Sequence, residues 1–144
     1  MKSVYVLNGP NLGMLGSREP EVYGSLSLAE ISASVQAHAE TLGFVADFRQ
    51  TDSESELVSW IHEAIKSGTP VIINPAAFTH YSYGLRDACA QKTAPMIEIH
   101  LSNPHKRETF RRVSVISDVV DGTIAGFSAD SYKLALTALV NLLK

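Results

Sequence analysis

Cysteine is almost absent from this chain of 144 residues, in which Cys89 is the single copy. One thiol excludes an internal disulfide and a zinc site built from several cysteines. The histidines and carboxylates also lack the HExxH spacing and the paired carboxylates typical of metalloenzymes. We therefore expect no metal, and we expect Cys89 to pack as a small apolar side chain.

Long apolar runs are also absent. No segment approaches the ~20 apolar residues of a membrane span, and Met1 to Ser3 lead directly into a strand pattern without the apolar region of a signal peptide. No internal repeat, low-complexity tract or linker divides the chain. These absences predict a single domain over residues 1–144, in the cytoplasm and without a membrane partner.

An excess of positive charge is the third absence. Twelve lysines and arginines face fifteen aspartates and glutamates, which gives a net charge of -3. Because nucleic-acid binding needs a basic face, this balance disfavours nucleic acid as a partner. The hydrophobic fraction of 45% is that of an ordinary globular protein.

Five apolar segments of β-strand length recur along the chain. They are residues 4–7, 44–48, 70–74, 96–100 and, more weakly, 122–127. Helical patterns lie between them, because Ser27 and Ser53 each precede a glutamate by three residues, as in a capping box, and an apolar stripe follows each. Further helices are expected from Tyr83 to Gln91 and around residues 132–143. The alternation predicts an α/β protein, a flavodoxin-like three-layer sandwich with a five-stranded parallel sheet.

The segment between the first strand and the first long helix is unusually long. Such connections usually take ~2–6 residues, and longer ones are often lids or binding loops. Residues 11–24 carry an amide, a guanidinium and a phenol in Asn11, Arg18 and Tyr23. We predict that this segment is a lid that brings reactive groups to a ligand.

A tyrosine in such a lid is a candidate base only with electrostatic help. The ordinary pKa of a phenol is ~10, and ionising it near pH ~7 takes about 4 kcal/mol. One exposed arginine supplies too little, so a buried arrangement or a second cation is required. A packing role for Tyr23 and a solvated position for Arg18 are the simpler alternatives.

Polar residues follow several of the predicted strands. Asn8 and Asn11 follow the first, residues 74–80 follow the third, and residues 100–102 follow the fourth. Since ligands of parallel sheets bind at the carboxyl edge, these groups should converge there. Glu98 shares a strand face with His100 through the two-residue period, where its carboxylate can orient a proton-donating imidazole. A structural histidine with a satisfied hydrogen bond at the end of the strand is the alternative.

The segment after the fourth strand offers an anion site. Ser102 precedes a predicted helical turn, where its hydroxyl and free backbone N–H groups either bind an anion or cap the helix. Arg107 and Arg111 are one helical turn apart and so share a helix face. They either reach the same pocket or form an ordinary pair of surface charges. A nucleotide loop and a phosphate-accepting receiver domain are disfavoured, because no Gly-Lys-Ser/Thr motif follows the glycines and Asn8 and Asn74 stand where a receiver has acids.

A series of motifs in chain order resembles the type II 3-dehydroquinases. They are Asn8-Gly9-Pro10-Asn11-Leu12, Gly16-Ser17-Arg18-Glu19-Pro20, Tyr23-Gly24, Asn74-Pro75, Thr79-His80, Leu85-Arg86-Asp87, Glu98-Ile99-His100-Leu101-Ser102-Asn103 and Arg107-Glu108-Thr109-Phe110-Arg111. The resemblance runs from the first strand to the last helix. It implies the reversible dehydration of 3-dehydroquinate to 3-dehydroshikimate in the shikimate pathway, without metal or organic cofactor, by a homododecamer arranged as a tetramer of trimers.

The resemblance also implies a role for each site residue. Tyr23 is the base that removes the C2 proton, Arg18 favours its anionic form, and His100 is the acid that protonates the departing C1 hydroxyl. Asn11 holds a water that stabilises the enolate. The residues implied in substrate binding are Asn74, His80 and Arg111 at ring hydroxyls, Ser102 and the backbone of Leu101 at the carboxylate, and Asp87 from a neighbouring subunit.

The chain departs from the family pattern at several positions. Gly13-Met14 replaces the usual Asn-Leu in the lid, Tyr81 replaces a small hydroxyl residue, and Ala76 replaces a glycine, which introduces strain if that position requires a positive φ. We expect these changes to alter affinity or lid motion and to leave the reaction type unchanged. A module that binds or senses a small carboxylic acid without turnover is the main alternative function, and a catalytically silent scaffold is the second.

Overall fold

Five parallel strands form one sheet in the computed structural model, which describes residues 1–17 and 19–144. The strand order is β2-β1-β3-β4-β5. The strands are β1 Lys2–Asn8, β2 Phe44–Gln50, β3 Val71–Asn74, β4 Met96–His100 and β5 Gly122–Ala125. This sheet confirms the predicted fold class.

Helices cover both faces of the sheet. They are α1 Pro20–Tyr23, α2 Leu28–Thr41, α3 Glu54–Ser67, α4 Tyr83–Ala90 and α5 Asp130–Leu142. Alternate residues of β1 face opposite sides, so Val6 packs in a core with α2 and α5, while Leu7 packs in a second core with α3 and α4. Two cores on either side of one sheet make the three layers that the sequence predicts.

Local capping fixes where the long helices begin and end. Ser27 and Glu30 form the reciprocal capping box that the sequence predicts at the start of α2. The Ser53 side chain accepts a hydrogen bond from the Glu56 N–H at the start of α3. Gly68 ends α3 with a φ of 64°, a conformation that glycine adopts without a steric cost.

The predicted lid contains more regular structure than the sequence indicates. Residues 12–14 form a 3-10 turn, and α1 adds one turn of helix with Pro20 at its first position. Leu12, Leu15 and Tyr23 from this segment are buried in the core shared with α2 and α5. Arg18 lies outside the described residues.

Two further expectations concern single features. Cys89 is fully buried on α4 among apolar side chains, as expected, and burial raises the pKa of its thiol to about 12. Among the described residues, no helix has both the length and the apolar character required to cross a membrane.

Candidate active site

A cavity of about 290 Å³ opens at the carboxyl edge of the sheet. Register pairs Asn8 with Asn74 at the ends of β1 and β3, and His100 ends β4 beside them. Most of the residues predicted for the site line this cavity: Asn11, Tyr23, Asn74, His80, His100, Leu101, Ser102 and Arg111. The predicted convergence of polar groups at this edge is therefore confirmed.

One predicted site residue, Asp87, is not among the described residues that line the cavity. Asp87 lies on the exposed side of α4, so its approach to a neighbouring subunit's site stays a prediction. Arg18 falls outside the described part of the chain.

His100 and Glu98 form a close pair at the end of β4. Nε2 of His100 lies 2.6 Å from Oε2 of Glu98. Because an ionised carboxylate only accepts hydrogen bonds, Nε2 carries a proton, and Nδ1 is the ring nitrogen left to face other partners. The pairing that the strand period predicts is confirmed.

The Glu98 carboxylate is 1% exposed and surrounded by donors. Burial acts to raise its pKa, but hydrogen bonds from His100, Thr79 and Ser117, together with the charge of His100, hold the pKa of Glu98 below its usual range. The donors Thr79, Ser114 and Ser117 come from segments far from β4 in sequence. Glu98 is therefore ionised at neutral pH and accepts the Nε2 proton of His100 in a hydrogen bond.

His80 lines the cavity from the 3-10 turn Ala76–His80. Its Nδ1 lies 2.7 Å from the carbonyl oxygen of Val113. A carbonyl has no proton to give, so Nδ1 is the donor and the neutral ring keeps Nε2 as an acceptor. The Phe110 ring packs edge-on against His80 with centroids 5.7 Å apart and restricts its orientation.

Arg107 is the site residue that the sequence-based site assignment left out. Its guanidinium carbon lies 5.0 Å from the centre of the Tyr23 ring, and its Nη1 donates to Ser102 Oγ at 3.2 Å. Glu19 approaches the same guanidinium at 3.8 Å. The signal for Arg107 was its spacing from Arg111, and both line the cavity.

The interpretation of that spacing as one turn of a single helix was wrong, however. Arg107 ends one 3-10 turn, Pro104–Lys106, and Arg111 lies in the next, Thr109–Arg112, so the two arginines do not share one helix face. Ser102 is also not the cap of the first turn, because Asn103 accepts the His105 N–H. The Ser102 hydroxyl instead faces the cavity beside Arg107.

Asn74 is oriented by a buried polar network behind the cavity. Its Nδ2 donates to the Tyr132 hydroxyl at 3.3 Å, and its Oδ1 accepts the Ala76 N–H at 3.3 Å. The Tyr132 hydroxyl donates in turn to Asn8 Oδ1 at 2.5 Å. Sequence reasoning placed Tyr132 in the apolar stripe of the last helix, and no local pattern indicates where its hydroxyl points.

Ala76 has a φ of 51°, in the left-handed region. A side chain there costs ~1–2 kcal/mol relative to a right-handed residue, which is why glycine is favoured. From the sequence, strain is expected here on the condition that φ is positive, and that condition is met. Its methyl group lines the cavity next to Asn74.

The balance of charge in the cavity differs from that of the whole chain. Although the net charge is -3, the cavity is lined by Arg107, Arg111, His80 and His100. Among residues 1–17 and 19–144, no group of three or more His, Cys, Asp or Glu residues is arranged to hold a metal ion. The arrangement suits an anionic substrate, a phenol as base and an imidazole as acid.

Comparison with known proteins gives consistent results. The sequence model of the family "Dehydroquinase class II" matches residues 2–140. A 3-dehydroquinate dehydratase of Kineococcus radiotolerans is 52% identical over 136 residues, which are 94% of this chain and 93% of that protein. The crystal structure of a type II dehydroquinase from Propionibacterium acnes has a TM-score of 0.96 and 48% identity, and the match covers 98% of this chain and 97% of that one. A type II dehydroquinase structure from Butyrivibrio crossotus has a TM-score of 0.93 and 36% identity, with 96% of this chain and 97% of that chain covered.

Proposed function

Since the chain belongs to the class II dehydroquinase family, we propose that it is a hydro-lyase that converts 3-dehydroquinate reversibly to 3-dehydroshikimate, a step of the shikimate pathway. The observation that carries the proposal is the juxtaposition of Tyr23, Arg107 and the Glu98–His100 pair at one cavity. These groups supply a base, a cation and an acid, which are what the elimination of water next to a ketone requires.

In the proposed mechanism, ionised Tyr23 removes the C2 proton of the substrate. The Arg107 guanidinium lies over the Tyr23 ring. The family resemblance assigns Arg18 the role of favouring the anionic form of this phenol. Tyr23 is 9% exposed and the Arg107 side chain 13% exposed, so solvent screens their interaction less than it would at the surface. The burial of this pair supports the proposal that Tyr23 is the base.

Removal of the proton leaves an enolate, which a hydrogen bond must stabilise. Asn11 holds a water for this purpose, as the family resemblance implies. Asn11 lines the cavity. Its backbone N–H donates to Asp52 at 2.9 Å, and its φ is 68°. Asparagine tolerates this left-handed conformation better than most residues do.

His100 then protonates the C1 hydroxyl as it leaves. Because Nε2 is bonded to Glu98, the proton transferred comes from Nδ1 of the imidazolium. The Glu98 carboxylate accepts the Nε2 proton and so orients the ring for this transfer. The same pair takes the proton back in the reverse reaction.

Substrate binding is assigned to the remaining cavity residues. Asn74, His80 and Arg111 bind ring hydroxyls, and Ser102 with the backbone of Leu101 binds the carboxylate. The proximity of Arg107 to Ser102 supports this placement of the negative end of the substrate. As the family resemblance implies, the enzyme should work without metal or organic cofactor.

We propose a homododecamer, a tetramer of trimers, as the active assembly. In support, the large hydrophobic side chains Tyr81, Tyr83, Phe110 and Val113 are 57–69% exposed on segments around the cavity. Such side chains are typical of a surface that another copy covers. In this assembly Asp87 of one subunit approaches a neighbour's site. The cytoplasm is the compartment we expect.

A direct assay tests the proposed function. Purified protein mixed with 3-dehydroquinate should produce an ultraviolet absorbance from the conjugated enone, at a rate proportional to enzyme concentration and unchanged by a chelator. Calorimetric binding of 3-dehydroquinate without any absorbance change would favour the binding module instead. Neither binding nor turnover would contradict both functions and favour the silent scaffold.

A further inference from the structure

Three hydroxyl groups from outside β4 converge on the Glu98 carboxylate. Thr79 donates to Oε2 at 2.5 Å, Ser117 donates to Oε1 at 2.8 Å, and Ser114 lies 3.0 Å from Oε1. Ser114 and Ser117 belong to the segment between the last 3-10 turn and β5. The mechanism above uses Glu98 only as the partner of His100, and it assigns no role to these serines.

The direction of the Ser114 hydroxyl is fixed by its other partners. Its Oγ accepts the N–H groups of Ile116 at 3.2 Å and Ser117 at 3.1 Å, which occupies both lone pairs of the oxygen. The hydroxyl proton therefore points away from the backbone, toward Glu98 and Thr79. Ser114 acts as a donor in this cluster.

All groups bonded to Glu98 thus present hydrogen to it. Oε2 receives bonds from Thr79 and His100, and Oε1 receives a bond from Ser117. The single Ser114 proton is directed either at Oε1, 3.0 Å away, or at Thr79 Oγ1, 2.6 Å away, which itself donates to Glu98. Donors favour the ionised form of a carboxylate, whereas burial favours the neutral form. Since Glu98 is 1% exposed, its charge depends on the donors that surround it.

We propose that Ser114 and Ser117 are positioning residues that keep Glu98 ionised and aimed at the Nε2–H of His100. This inference rests on the proposed function for the role of His100. It assigns the segment between Arg112 and β5, which contributes no residue to the cavity lining, a part in catalysis.

Other titratable groups face the pair from neighbouring elements. Cys89 on α4 is close enough for the charge of Glu98 to act on the thiol. The thiol stays protonated at neutral pH, because burial raises the pKa of Cys89 to about 12. Around the cavity, the groups that share its lining with His100 are Tyr23, His80, Arg107 and Arg111. The hydroxyl donors are therefore the groups to change when the protonation of Glu98 is tested.

The test follows the Glu98 carboxyl carbon by NMR in protein labelled with 13C-glutamate, with Glu98→Gln to assign the signal. Ser117→Ala should raise the midpoint of this titration by about one pH unit, and Ser114→Ala should raise it similarly. Ser117→Thr keeps the hydroxyl and should restore the midpoint.

Ser117→Ala is the cleaner variant, because the Ser114 hydroxyl also holds the turn through two backbone N–H groups. Ser67→Ala removes another exposed serine hydroxyl, one bonded to the Glu63 carbonyl on α3, and should leave the midpoint unchanged. An unmoved Glu98 midpoint in folded Ser117→Ala would overturn the inference. Absence of turnover in the parent protein would instead overturn the proposed function, and the NMR titration would still decide whether the serines keep Glu98 ionised.

Discussion

The Arg107 guanidinium lies over the ring of Tyr23, with its central carbon 5.0 Å from the ring centre. Because this cation lies against the proposed base, Arg107→Ala should lower kcat by about 10²-fold, as expected when a stabilising charge is removed from a reacting site. Steady-state kinetics with 3-dehydroquinate measure this effect. Arg112→Ala, which removes an exposed arginine outside the cavity lining, is the control and should keep a normal kcat. A normal kcat in Arg107→Ala would remove Arg107 from the mechanism.

The Tyr132 hydroxyl links Asn8 to Asn74 in the buried network. Tyr132→Phe leaves the two amides without this partner, which should lower the free energy of unfolding by about 1–3 kcal/mol. Because Asn74 loses its orientation, KM should rise more than kcat falls. Denaturant unfolding and kinetics check both effects. The control is Tyr5→Phe, whose hydroxyl faces Glu63, and it should change stability by less than about 1 kcal/mol.

The left-handed φ of 51° at Ala76 predicts a stabilising substitution. Ala76→Gly should raise the free energy of unfolding by about 0.5–1 kcal/mol, since relief of the steric cost exceeds the added entropy of the unfolded chain. Ala77→Gly, without a positive φ to relieve, should lower it by a similar amount. If both substitutions destabilise the protein equally, Ala76 is not strained. An unchanged kcat/KM in Ala76→Gly would show that the methyl group does not impede the substrate.

The pKa of Glu98, held below its ordinary value of 4.5, predicts how stability changes in acid. A carboxyl whose pKa is lower in the folded state adds stability above its unfolded pKa and loses it as the pH falls through the folded value. The difference in unfolding free energy between the parent and Glu98→Gln should therefore shrink as the pH falls below about 4.5. Urea unfolding at several pH values measures it, and a difference that is constant from pH ~6 to ~3 would contradict the assignment.

Patterns that repeat along the chain allowed the sheet and the long helices to be predicted. Strand β3 follows from its continuous apolar run, and the pairing of Glu98 with His100 follows from the two-residue period of β4. The start of α2 follows from Ser27 and Glu30, whose reciprocal bonds are local. Each of these features depends on residues close together in sequence.

The features that were missed depend on distant residues or on short elements. Helix α1 has four residues, too few for an apolar period to appear. Ser114 and Ser117 meet Glu98 across 16 and 19 residues of sequence, so no local motif connects them. The position of Arg107 over Tyr23 depends on how the lid packs against the segment after β4, which a single sequence does not encode as a pattern.

The most direct test of the account is the turnover of 3-dehydroquinate by Tyr23→Phe, measured beside its binding affinity. Removal of one oxygen deletes the proposed base and leaves the ring in the core with Leu12 and Leu15. The mechanism predicts that the variant folds and binds the substrate, while kcat falls by about 10³-fold or more. Near-normal turnover by a folded Tyr23→Phe protein would contradict it, because another group would then remove the proton.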